Sequence, residues 1–257
     1  MILSFIMQVY LGEYPGSRSN PILKFHRVVE CLRNQTNPNW ELVIVSDGCE
    51  LAMKEYKDHY VDDDKIKFAF VAKPKQSLMY AEENGQKYFR GLPRQVGIEI
   101  STGDWISYVD SDDFILPNAV EDLIYQIKYK THDLYPGEKV KAILNRSSIK
   151  NELWEEMTKK HIENGTSDVP SSELFEIDGL DGKWKSFEFP LGKANLATVS
   201  VIHERNWPPH NWKDSTGKWS EDMLFIQPMT MNPLAKHSDF MSVPYYVICH
   251  YSKKWDY

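Results

Sequence analysis

Gly103-Asp104-Trp105-Ile106-Ser107-Tyr108-Val109-Asp110-Ser111-Asp112-Asp113 holds the clearest structural signal in the chain. Its β-branched and aromatic run predicts a short strand over residues 105–109, and that strand empties into three carboxylates. Open α/β sheets bind their ligands outside the carboxyl ends of the strands, so chemistry is expected here. Asp110 and Asp112, in alternate positions, can share one metal environment, because carboxylate oxygens are hard donors suited to Mg²⁺ or Mn²⁺. Asp and Ser are equally at home in a solvated turn that caps a following helix. The motif alone leaves both readings open.

Working outward, short apolar runs alternate with helical patterns, which predicts βαβ units and a mainly parallel sheet. Leu3–Val9 reads as a buried strand, followed by a polar loop with Gly12, Pro15, Gly16 and Ser17. Asn20-Pro21 starts a helix by cap-then-proline logic, with Ile22, Phe25, Val29 and Leu32 on one face and Asn37-Pro38 marking its end. Further strands are expected at residues 41–46, running into Asp47-Gly48, and at Ile66–Val71, with a helix around residues 94–100. Pro117 is expected to open the next helix, with Val120, Leu123, Ile124 and Ile127 facing the core. Beyond residue 130, Gly, Pro, Ser and Asp predict loops at residues 131–137 and 164–192. Strands are expected at residues 141–144, 197–202 and 241–251.

The 257 residues carry 30 Lys+Arg against 37 Asp+Glu, a formal charge of −7, and 42% of them are hydrophobic. That is the composition of one ordinary globular α/β domain, and it excludes disordered, collagen-like and disulfide-scaffold classes. An acidic total argues against a nonspecific nucleic-acid coat, although a divalent cation can still bring a polyphosphate to carboxylates. Cys31, Cys49 and Cys249 show no C-x-x-C spacing, so neither a zinc knuckle nor a disulfide framework is indicated. Residues 2–9 are apolar but too short to span a bilayer and lack signal-peptide features, so a cytoplasmic location without a transmembrane segment is expected.

The order of segments adds specificity that no single motif has. A helix ending Arg33-Asn34-Gln35-Thr36 precedes Asn39-Trp40-Glu41-Leu42-Val43-Ile44-Val45-Ser46-Asp47-Gly48. Then come Arg94-Gln95-Val96-Gly97-Ile98 and the Gly103 to Asp113 stretch. Residues 2–125 closely resemble the family 2 glycosyltransferases of the GT-A fold, with their "NQT", "W-E-hydrophobics-D-D-G-S", "A-R-N-x-G" and "D-x-D-D" segments. The resemblance implies a Rossmann-like mixed, mainly parallel sheet flanked by helices, with a loop-rich C-terminal acceptor half. It divides a single domain, 1–257, into a nucleotide-sugar half (1–125) and an acceptor and catalytic-base half (126–257). It also implies that Asp47 contacts the nucleotide base, Arg94 lies near the nucleotide, Asp110 faces ribose or metal, and Asp112 binds the metal. Ser46 and Cys49 depart from "D-D-G-S", and Gln8-Val9-Tyr10-Leu11 replaces "P-x-Y-N", keeping only the aromatic. Tyr10 is either a base-packing residue or a plain strand-end aromatic.

In the second half, Trp219-Ser220-Glu221-Asp222-Met223-Leu224-Phe225 resembles the family's "E-D" segment, whose Asp is the general base. A hydroxyl becomes a competent nucleophile when a carboxylate within hydrogen-bond reach takes its proton, so Asp222 is the expected catalytic residue. Ser220 capping a helix, with Glu221 and Asp222 complementing its dipole, is compatible local physics. His250 stands where many GT-A enzymes place a third metal ligand, and an imidazole would favour Mn²⁺; a structural donor role is equally open. Lys253 and Lys254 suit either a diphosphate contact or a solvated pair. Trp207, Trp212 and Trp219, with His203, Arg205 and His210, suit sugar packing, base stacking or a core.

The expected activity is a metal-dependent inverting transfer from a nucleoside-diphosphate sugar to an acceptor hydroxyl on a glycan, lipid-linked sugar, protein or modified DNA base. A sugar-phosphate nucleotidyltransferase is the first rival, but Gly12, Gly16 and Arg18 are wrongly spaced for its triphosphate loop. A binding module that has lost turnover is the second; Asp110, Asp112 and Asp222 speak against it. An aspartyl phosphohydrolase carries its Asp-x-Asp on the first strand, and residues 1–12 contain no Asp.

Overall fold

Leu3, Phe5, Met7 and Val9 face one side of a strand and Ile6 faces the other, and all are buried. A strand buried on both faces reads as an unbroken apolar run and belongs in the middle of a parallel sheet with helices on each side. That is the place of β1 (Leu3–Val9) in the computed structural model. The structure describes residues 1–12, 20–72, 80–83, 86–89, 91–130, 140–144, 147–150, 154–155, 159, 163, 172–177, 180–187, 201–207, 234–237 and 246–247.

After β1 come α1 (Pro21–Arg33), β2 (Trp40–Asp47), α2 (Glu50–His59), β3 (Ile66–Val71), β4 (Tyr80–Glu83) and β5 (Gln86–Phe89). Then follow α3 (Leu92–Ile100), β6 (Trp105–Tyr108), β7 (Phe114–Ile115) and α4 (Ala119–Tyr125), which runs into a π-helical turn at Gln126–Lys130. The remaining strands are β8 (Ala142–Leu144), β9 (Ser147–Lys150), β10 (Ser172–Ile177), β11 (Leu180–Phe187), β12 (Val201–Glu204), β13 (Ala235–His237) and β14 (Tyr246–Val247). Among the described residues no helix is long and apolar enough to cross a membrane.

The main sheet has the order β13-β8-β12-β6-β1-β2-β3. β3, β2, β1 and β6 are parallel, whereas β12 runs antiparallel to both β6 and β8. The chain steps outward from β1 to β3, then crosses back to lay β6 on the other side of β1. This reversal opens a crevice at the carboxyl ends of β1 and β6, the usual ligand position of such sheets. A second sheet, β10-β11-β9-β14-β7, draws together the acidic turn after β6 and the later segments.

Helices cover both faces. Phe25, Val28, Val29 and Leu32 of α1 pack with Leu3, Phe5, Met7, Leu42 and Ile44 in one core. Leu92, Val96 and Ile98 of α3 pack against Ile6, Val43, Val45, Ile106 and Tyr108 on the opposite face. Gly97 lets α3 lie flush on the sheet: a Cβ there would sit 2.4 Å from Ile6 Cγ2 and 3.3 Å from Val45 Cγ2.

Several expected boundaries move. Asn20 precedes α1 in a left-handed conformation, φ 52°, and makes no side-chain cap, so Pro21 alone supplies the start signal. α4 begins at Ala119 rather than Pro117, whose carbonyl is taken by the Thr36 N–H at 2.9 Å. α2 was not expected: Glu50–His59 is mostly polar and buries only Ala52 and Glu55. The expected loop over residues 164–192 contains the β10–β11 hairpin, paired antiparallel. Gly, Ser and Asp belong to hairpin turns as readily as to open loops, so the composition of this stretch does not tell the two apart. Of the expected strand over residues 241–251, β14 is described.

One buried carboxylate ties the amino end of the sheet together. Glu41 on β2 accepts from Ser4 Oγ (2.5 Å), Thr102 Oγ1 (2.7 Å) and the Gly103 N–H (2.9 Å), and pairs with Lys67 on β3 at 2.6 Å. Burial alone would push its carboxyl up; the Lys67 ammonium and the hydrogen bonds from Ser4 and Thr102 outweigh this and hold it at about 2, from an ordinary 4.5. A folded value below the unfolded one means the stabilisation is present above pH 4.5 and is lost as pH falls toward about 2. Glu41→Gln is therefore expected to cost about 3 kcal/mol at pH 7. Urea unfolding from pH 7 to pH 3 checks this: the gap between wild type and variant narrows as acid is added, and a constant gap rejects the account.

Candidate active site

Four elements deliver polar side chains to the carboxyl ends of the strands. β1 brings Gln8 and Tyr10, β2 brings Asp47, α3 brings Arg94, and the turn after β6 brings Asp110 to Asp113. Each of the first three departures from the expected motif proves to have a local role. Ser46 Oγ accepts the Cys49 N–H at 2.9 Å and donates to the Cys49 carbonyl at 2.8 Å, closing the turn in which Gly48 takes φ 67°. Cys49 Sγ in turn accepts the Leu11 N–H at 3.3 Å, linking the ends of β1 and β2. Gln8 donates from Nε2 to Asp47 Oδ2 at 3.2 Å, which orients a carboxylate only 6% exposed.

The acidic turn is held from below by a residue that the sequence did not single out. Arg27 of α1 donates through Nη2 to the carbonyls of Asp112 (2.7 Å) and Asp113 (3.2 Å). Asp113 is fully buried and its N–H reaches the Asp110 carbonyl at 3.4 Å, so it builds the turn. Asp110 and Asp112 remain partly exposed. Arg94 lies 3.9 Å from Asp110 Oδ1, which places a guanidinium beside the carboxylates where anionic oxygens of a ligand would gather. Tyr10, just past the end of β1, is 39% exposed, with its ring against Gly12. The structure thus brings Tyr10, Asp47, Arg94, Asp110 and Asp112 to one end of the sheet. Asp222 and His250 lie outside the described residues, as do Trp212, Trp219, His210, Lys253 and Lys254.

The basic aromatic stretch is partly core. Trp207 packs against the α3-side cluster. His203 is completely buried, facing Tyr108 Oη through Nε2 (2.8 Å) and the Glu204 carbonyl through Nδ1 (2.9 Å). Burial drives it down to about 3, so it is a neutral imidazole that donates from Nδ1 and accepts the tyrosine proton.

A divalent cation fits the donor set. Asp110 and Asp112 offer oxygen only, on a turn whose backbone Arg27 has already fixed, and that chemistry suits Mg²⁺ or Mn²⁺.

Residues 23–168 match the model of glycosyl transferase family 2. The chain belongs to that family. This family 2 chain is 33% identical over 96 residues to EpsH of Bacillus subtilis, covering 37% of this chain and 24% of that protein. To TarP of Staphylococcus aureus, a poly(ribitol-phosphate) beta-N-acetylglucosaminyltransferase, it is 25% identical over 117 residues, covering 45% and 32%. The chain spans between about a quarter and two-fifths of the length of the curated relatives it matches. The crystal structure of S. aureus TarS 1–349 in complex with UDP-GlcNAc superposes on 96% of this chain and 58% of that one, at a TM-score of 0.55 and 18% identity. That likeness is one of fold, and it makes the α/β architecture described above a GT-A Rossmann-like one.

Proposed function

We propose that this chain is a metal-dependent, inverting glycosyltransferase that moves a sugar from a nucleoside-diphosphate sugar to an acceptor hydroxyl. The observation that carries the reading is the convergence of Asp47, Arg94, Asp110 and Asp112 at the switch point between β1 and β6. In this reading residues 1–125 hold the donor and residues 126–257 supply acceptor binding and the base. Asp47, oriented by Gln8, accepts a hydrogen bond from the nucleotide base, and Tyr10 packs beside it. Arg94 and Asp110 border ribose and phosphates. Asp112, with Asp110 and His250, would hold the cation, which when bound neutralises charge on the departing diphosphate. Asp222 takes the proton of the attacking hydroxyl on the face opposite the nucleotide, so a single displacement inverts the anomeric centre. The acceptor is a hydroxyl of a glycan, lipid-linked sugar, protein or modified DNA base.

UDP-GlcNAc is the first donor to try, because the TarS structure of the same fold is a complex with it. Thermal melts with a panel of nucleotide sugars, each with and without Mn²⁺, test the reading. A productive donor near a hundred times its Kd adds about 2.7 kcal/mol of apparent stability, or roughly 5–10 °C in Tm. The expected shift requires both donor and Mn²⁺. A panel in which no nucleotide sugar moves Tm rejects the function.

A further inference from the structure

Among the described residues, a second constellation of metal-ligating side chains lies where side chains of α1 meet those of α2. His26 of α1 and Glu55 and His59 of α2 present three ligand atoms that all lie within 4.8 Å of one another. His26 Nε2 is 3.0 Å from Glu55 Oε2, and His59 Nε2 is 3.5 Å from the same oxygen. Glu55 and His59 are one helical turn apart and so share a face of α2. His59 sits nine residues along α2 from Glu50, about 13 Å from the end that follows the Asp47 turn. None of these three side chains belongs to the group of Tyr10, Asp47, Arg94, Asp110 and Asp112 at the carboxyl ends of the strands.

We propose that His26, Glu55 and His59 form a second metal site, of the Zn²⁺ class, that clips α1 to α2. Three observations point there. First, the donor set is two imidazoles and one carboxylate, a borderline set that favours zinc over the hard cations suited to the acidic turn. Second, the spacing is nearly in place: a tetrahedral ion with bonds near 2.1 Å has ligand atoms about 3.4 Å apart, and rotation of the half-exposed His59 closes the remaining gap. Third, the outer partner exists. The buried Tyr60 hydroxyl lies 2.5 Å from His26 Nδ1. In the metal-bound form His26 donates Nδ1–H to that hydroxyl and turns its Nε2 lone pair to the ion, the arrangement that orients histidine ligands generally. Without metal the tautomer reverses: Tyr60 donates to Nδ1, and Nε2–H donates to Glu55.

With His59 53% exposed on its side chain, solvent completes the coordination. The clip acts on the scaffold. The residue after His26 is Arg27, which holds the acidic turn, and α2 begins directly after the Asp47-Gly48 turn. Fixing α1 to α2 steadies both halves of the crevice floor. The inference does not depend on the transferase reading, since it concerns metal binding alone.

The test uses the whole chain, stripped with EDTA and desalted, then titrated with ZnCl₂ by calorimetry and followed by thermal melts. Wild type is expected to bind one more equivalent of zinc than His59→Ala and His59→Gln. Its Tm should rise by about 5–10 °C at free zinc near a hundred times Kd. Both variants should lose at least about tenfold in affinity at that site while keeping the metal-free Tm, because His59 is on the surface. MgCl₂ should produce no such shift. Cobalt in place of zinc should give tetrahedral d–d absorption in wild type and none in the variants. Equal zinc stoichiometry and affinity in wild type and both variants, or no saturable zinc binding at all, overturns the proposal.

Discussion

Asp112→Ala is expected to remove Mn²⁺-dependent donor binding and to lower transfer by at least about a thousandfold, with Tm nearly unchanged. Both halves of this expectation come from how the turn is built. The turn backbone is held by Arg27 Nη2 on the carbonyls of Asp112 and Asp113 and by the burial of Asp113, and neither needs the Asp112 carboxylate. Removing a partly exposed side chain from such a turn usually changes stability by no more than about 0.5 kcal/mol. The chemical loss is far larger, since charge stabilisation on a leaving diphosphate contributes several kcal/mol and each 1.36 kcal/mol is tenfold in rate. Calorimetry with UDP-GlcNAc at several Mn²⁺ concentrations separates the two effects. The variant should retain weak, metal-independent nucleotide binding through Asp47 and lose the metal-dependent component. Unchanged Mn²⁺ dependence in a folded Asp112→Ala would move the metal away from this turn.

The parts of the fold that were legible share one physical property: their burial pattern is written in the residues themselves. Residues 3–9 are mostly apolar because both faces of β1 are covered, and residues 66–71 are rich in β-branched and aromatic residues with Ile66 and Val71 buried; the structure returns the same boundaries for both. α2 leaves a weak signal because its core contact is narrow: Ala52 and Glu55 are buried and Leu51 and Tyr56 only partly so, while five of its ten residues are Asp, Glu or Lys. The β10–β11 hairpin is hidden by the composition of residues 164–192, whose Gly, Ser and Asp suit loops and turns alike. At the candidate site, Asp110 and Asp112 stand out in the sequence because carboxylates cluster at the end of an apolar strand, whereas Asp47 and Arg94 are singled out only by the resemblance of their segments to the family's. Arg27 and Gln8 are singled out by neither. Arg27 works through backbone carbonyls, which leave no trace in residue types, and Gln8 matters only because β1 and β2 pair in register, Gln8 opposite Val45. A basic residue on the helix face that turns toward an acidic loop is the signal that would have found Arg27.

Asp222→Asn is expected to lower kcat by about 10²–10⁴-fold while leaving the Kd for UDP-GlcNAc and Mn²⁺ within about twofold. The substitution is nearly isosteric and keeps hydrogen bonding, but an amide cannot take up a proton at neutral pH. It therefore removes the base without emptying its place. If Ser220, Glu221 and Asp222 merely start a helix, losing one negative charge there costs roughly 0.3–1 kcal/mol of stability and no catalysis. Glu221→Gln would then behave like Asp222→Asn. If Asp222 is the base, the two variants part: Glu221→Gln keeps most of its rate, and Asp222→Asn does not. The pH profile adds an independent readout. Wild-type kcat should fall in acid as the base is protonated, and the residual rate of Asp222→Asn should lack that limb. Product stereochemistry completes the argument, because one displacement assisted by one base must give the inverted anomer, whereas two displacements would restore the original. A folded Asp222→Asn with wild-type kcat would assign proton removal to another group, and a retained anomer would replace the single displacement itself.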